Sequence, residues 1–167
     1  PTQFLDRLQA EGLDRDAVYA LAMMLPHRQA VWWACLALRL LPDLDARGPD
    51  AAAVDVAERW VQSGAAGDAE QAGTLAETCN PNQGPAWAAN ACFWAGPSLA
   101  PRGQQPVPPA PHLPGVAARI ALLLLRFEPS MTGRADYRDW LEIGLALMRG
   151  ENGRQAQATV RNRIFAS

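Results

Sequence analysis

The chain is expected to fold as an all-α domain, and three observations carry that expectation. Apolar residues recur with the helical spacing i, i+3, i+4 through most of its 167 residues. No run alternates with period two over more than a few residues, and β-branched side chains are sparse. Proline and glycine sit mostly at the ends of the periodic runs, where they start and stop helices.

The elements follow in order. Asp14 is placed to cap a helix carrying Ala17, Val18, Leu21, Ala22 and Leu25, and Pro26 ends it or opens the next. From His27 to Leu41 apolar side chains nearly encircle the axis, which places this helix at the centre of the core. Residues 42–49 read as a linker. Pro49 or Asp50 opens a helix to about Gln62 with Ala53, Val56, Ala57 and Trp60 inward, and Ser63-Gly64 stops it. A weaker, alanine-rich helix runs from about Asp68 to Thr78. After the turn Asn80-Pro81-Asn82, Pro85 suits the first turn of a helix with Trp87, Ala91, Cys92 and Trp94, which stops at Gly96-Pro97.

Residues 97–114 hold seven of the fourteen prolines and are expected as extended chain, partly polyproline II. Val116 to Phe127 is the next helix. Ser130 is placed as the cap of the last strong one, which carries Tyr137, Trp140, Leu141, Leu145 and Met148 and closes at Gly150. The organisation is thus one irregular bundle of about seven or eight helices over residues 1–150, with an ordered proline-rich strap inside it. Residues 151–167 form a polar tail, loosely helical or disordered.

Composition narrows the function. A net charge of −2 lacks the basic excess that nucleic acid or an anionic membrane requires. The longest apolar run, Ile120 to Leu125, is far short of the ~20 residues that span a bilayer. Three widely spaced cysteines, Cys35, Cys79 and Cys92, make a poor disulfide framework and read as buried thiols, which suggests a cytoplasmic protein. Two histidines, His27 and His112, are too few for a zinc site with these cysteines, and no other metal or cofactor signature is present. No nucleophile elbow or phosphate loop occurs either. An enzyme remains only as a dispersed site around Cys35, Cys92 or His112.

Two features point to recognition. Pro106-Val-Pro-Pro-Ala-Pro-His-Leu-Pro114 contains overlapping PxxP spacings, the pattern that docks into aromatic grooves. The competing reading packs these prolines on Trp87, Trp94 or Trp32 of the same chain. Trp32 and Trp33 point about 100° apart on one helix, so one of them is a candidate interface anchor. The alternative buries it, with its indole N–H bonded to a carbonyl of the proline loop. The candidate protein-binding residues are Trp32, Trp33, Pro108, Pro109, His112 and Leu113.

These segments also form a pattern. Leu25-Pro-His-Arg-Gln-Ala-Val-Trp-Trp-Ala-Cys35, Ala57-Glu-Arg-Trp-Val61, Trp87 with Phe93-Trp94, Ser98-Leu-Ala-Pro101, Pro106 to Leu113 and Tyr137 through Gly150 resemble a family of small bacterial proteins. That family shares an LPxRxAVWWA helix and an FWxGxSLAP…PVPPxPHL segment, and the likeness covers about residues 4 to 150. Its members have no assigned activity, and many are encoded near type VI secretion genes. The resemblance therefore implies an accessory, adaptor or chaperone-like protein of that apparatus, with a secretion component or effector as partner, or else an immunity protein against a cognate toxin. It carries over no catalytic residue. The expected function is a non-enzymatic protein-interaction module.

Overall fold

The structure, a computed structural model, describes residues 2–166. Among them lie nine α-helices, one 3-10 turn and no strand. The helices are α1 (Thr2–Ala10), α2 (Asp14–Met24), α3 (His27–Leu38), α4 (Pro49–Ser63), α5 (Ala66–Thr78), α6 (Gly84–Trp94), α7 (Leu113–Leu125), α8 (Tyr137–Met148) and α9 (Gly153–Ile164). The 3-10 turn, Leu44–Ala46, falls inside the expected linker.

Helix α3 lies at the centre, as its encircling apolar residues predict. Ala30, Val31 and every residue from Trp33 to Leu38 are buried, and α4, α6, α7, α8 and α9 all pack against it. Prolines stand in the first turn of α4, α6 and α7, where a missing N–H leaves no hydrogen bond broken. Gly64 closes α4 in the left-handed region, at φ +66°.

Four local expectations change. Helix α1, which sequence reading left unassigned, forms and buries Leu5. Asp14 lies inside the first turn of α2 rather than capping it, and its carboxylate accepts from Arg138 at 2.8 Å. Helix α7 starts at Leu113, three residues early, because Pro114 fits the first turn and the His112 carbonyl accepts from the Val116 N–H. The cap of α8 is Asp136, not Ser130: Asp136 accepts from Arg138 N–H while Asp139 accepts from Asp136 N–H, a reciprocal capping box.

Within residues 151–167, expected as a polar tail, Gly153–Ile164 form the regular helix α9 on α8 and α3. Its few apolar side chains suffice because Val160 and Ile164 are buried and Gly153, lacking a side chain, lets Leu147 and Leu36 pack directly on the backbone. Polar groups then secure it. Asn152 caps its start, Gln157 donates to the Leu36 carbonyl at 2.6 Å, and Arg161 donates to the Arg39 carbonyl.

Candidate protein-binding surface

The expected site residues separate. Trp33 is 0 % exposed, wedged among α2, α3 and α8, with its indole N–H on the Trp140 carbonyl at 2.8 Å. It can touch no partner, and the carbonyl it finds belongs to α8 rather than to the proline loop. Trp32 is half-buried, and the Arg154 guanidinium of α9 lies 4.8 Å from its ring centroid. Pro108 and His112 are exposed, while Pro109 and Leu113 are half-buried in the same segment.

That segment, residues 97–112, leaves the end of α6 and returns at the start of α7. Its first residues lie against α5, where Arg102 pairs with Glu70 at 2.9 Å. At its far end, Gly115 of α7 sits against the Ala22 carbonyl of α2. Between these points Ser98 organises the backbone. Its hydroxyl oxygen accepts from the N–H groups of Ala100 and Val107, both at 3.0 Å, and the Leu99 N–H donates to the Val107 carbonyl at 2.8 Å. The Ser-Leu-Ala-Pro and Pro-Val-Pro-Pro stretches are thus hydrogen-bonded to one another.

Most of the prolines in this segment face solvent. Pro97, Pro101, Pro106, Pro108 and Pro111 are exposed, and Val107 is 53 % exposed. Trp87 and Trp94 meet edge to face, with ring centroids 6.2 Å apart, and Trp87 donates to the Pro81 carbonyl. Arg28 explains the arginine in the Leu-Pro-His-Arg stretch. It reaches across to the last turn of α4, donating to the carbonyls of Val61 and Gln62, groups that the helix itself leaves unpaired.

Beside this segment runs a groove of about 420 Å³ that sequence reading missed. Glu70, Gly73, Thr74 and Glu77 of α5 form one wall, Asn90 and Phe93 of α6 the floor, and Leu99 to Arg102 the other wall. The signal was present as i, i+3, i+4, i+7 spacing in α5, but that stripe is polar and faces outward. Other clefts of similar size, between α8 and α9 or around Asp139 and Arg163, are lined chiefly by charged and polar side chains.

The thiols are interior. Cys35, Cys79 and Cys92 are free and buried. Burial, with Glu58 and Cys92 adding to it, pushes the Cys35 thiol well above its ordinary value. Burial likewise raises Cys79 to about 11 and Cys92 to about 12. His27 and His112 are exposed, and no hydrogen bond joins a histidine to a cysteine among the described residues.

Fold and surface together define a small all-helical protein whose prolines and groove gather beside one another at the bundle surface. The chain belongs to a family of unknown function (DUF6931), whose model matches residues 4–148. Helix α9 lies beyond that match. Comparison with curated proteins and with solved structures finds no match.

Proposed function

We propose that this chain is a non-enzymatic protein-interaction module, a cytoplasmic accessory or adaptor of bacterial type VI secretion. It presents residues 97–112 to a protein partner as an ordered strap. The exposure of five prolines and Val107 on a backbone tied down by Ser98 supports this reading. Such a segment has little entropy left to lose when it is bound, because proline fixes φ and the Ser98 bonds fix the turn. Apolar rings held in water on a fixed backbone are also what an aromatic groove recognises. The secretion context rests on the resemblance of the sequence motifs.

The alternative of a dispersed cysteine enzyme requires a thiolate, which the burial of Cys35 and Cys92 opposes. An immunity protein would use the same exposed segment against a toxin.

The test is affinity purification from the native bacterium, comparing the natural chain with Val107→Ser and His112→Ala and identifying retained proteins by mass spectrometry. The expected result is a secretion component retained by the natural chain and lost from Val107→Ser at unchanged melting temperature. Identical retained proteins from all three chains would overturn the reading. A toxin encoded beside the gene, retained in place of a secretion component, would move it to immunity.

A further inference from the structure

The groove between α5, α6 and residues 99–102 has a chemistry of its own. Phe93 lies on Gly73, where a Cβ would come within 2.9 Å of the ring. Glycine inside a helix costs stability relative to alanine, and here it makes room for an aromatic floor. The α5 wall carries Glu70 and Glu77 two turns apart, and α5 contains no basic residue. Glu77 has no ion pair among the described residues. The one cation lining the groove is Arg102, which pairs with Glu70 while 77 % of its own side chain stays exposed. An ion pair that open is weak and exchanges readily.

We propose that this groove receives a basic, arginine-bearing segment of the protein partner. Its guanidinium would lie over Phe93 and pair with Glu77, while a second cation displaces Arg102 from Glu70. Charge complementarity selects this occupant: two carboxylates flank a floor that carries the aromatic ring of Phe93, and a planar guanidinium satisfies both surfaces at once. Arg102 already places a guanidinium on Glu70 at 2.9 Å, so the chain itself supplies the geometry that the occupant would copy. The proposal rests on the interaction reading above and names the partner's chemistry, since one partner strand can lie across both the groove and the adjoining prolines.

The probe is an acetylated, amidated hexapeptide, Ala-Leu-Arg-Ala-Arg-Ala, titrated calorimetrically into the full chain. A second peptide with citrulline for both arginines keeps the shape and removes the charge. The arginine peptide is expected to bind at least about tenfold more tightly than the citrulline peptide. Glu77→Gln should weaken it about three- to tenfold, and Arg102→Ala, which frees Glu70, should tighten it about threefold. Circular dichroism melts confirm that both variants are folded. Equal binding of the two peptides, no measurable heat from either, or an unchanged titration in Glu77→Gln would overturn the proposal. If the titrations fail while Val107→Ser still loses its partner, only the groove assignment falls. If the titrations succeed while purification retains no partner, only the adaptor reading falls.

Discussion

Gly144 marks one of the tight points of the core. A Cβ there would stand 2.6 Å from Trp33 Cε2 and 2.7 Å from Leu21 Cδ2, so α2, α3 and α8 meet where only a hydrogen fits. Trp33 and Leu21 are both fully buried and have nowhere to retreat. Gly144→Ala is therefore expected to lower stability by about 1–3 kcal/mol, despite alanine's better helix propensity, as read from urea unfolding. The same tightness governs the thiols. All three should fail to react with a thiol reagent in the native chain at pH 8, and all three should react after unfolding. The sign of their pH effect follows from burial. Each folded thiol holds its proton to higher pH than its unfolded counterpart, so their contribution to stability is complete below the ordinary thiol value. Above it, the unfolded chain releases protons that the folded chain retains. Thermal melts should thus decline as pH rises past that ordinary value, and replacing Cys92 with alanine should flatten part of the decline.

At the scale of elements, the backbone of residues 97–107 depends on one hydroxyl. Ser98 takes two backbone N–H groups that no helix or sheet would otherwise satisfy, at Ala100 and Val107. Ser98→Ala should cost global stability less than about 1 kcal/mol, because most of this segment is solvated. It should loosen the segment itself. The expected readouts are faster amide exchange at Val107 and quicker trypsin cleavage after the exposed Arg102, with the helices unaffected. Resistance equal to that of the natural chain would mean that the Leu99–Val107 bond alone sets the fold of the segment. The capping of α8 illustrates a related point. Ser130 and Asp136 are both acceptable capping residues by type, but Asp136 has Asp139 three positions on to complete the reciprocal pair. That spacing is legible in the sequence, whereas Ser130 has no acidic residue three positions on.

At the scale of the whole molecule, one ion pair closes distant parts of the chain. Glu128, just beyond α7, is 5 % exposed and receives both Nη atoms of Arg47, at 3.1 and 3.0 Å across 81 residues. Asp43 also accepts from Arg47, which holds the Asp43 carboxyl below its usual range. Arg47→Ala would leave the Glu128 carboxylate buried without its partner. A loss of about 3–5 kcal/mol is expected, measurable by denaturant unfolding, with a smaller loss in Arg47→Lys, which keeps the charge without the two-pronged fit. A loss under about 1 kcal/mol would show that water reaches Glu128 easily.

The sequence by itself determined the helical class, the central place of α3 and the irregular backbone of residues 97–112, two residues short of the expected end because Leu113 and Pro114 join α7. Each is a local consequence of side-chain periodicity or of proline's fixed φ and missing N–H, and neither depends on what lies across the core. The tertiary structure alone decided which side chains remain available. Trp32 and Trp33 are neighbours of one type, yet α8 closes over Trp33 while Trp32 keeps partial access beneath Arg154. Five prolines of residues 97–112 stay in water, while Trp87 and Trp94 meet edge to face. Helix α9, polar in sequence, folds because α3 and its C-terminal end offer it carbonyls, α8 offers it carboxylates, and Val160 and Ile164 find an apolar seat. The groove exists only because the chain after α6 doubles back along α5, and side-chain exposure is a property of such long-range contacts, which no local pattern of residues encodes.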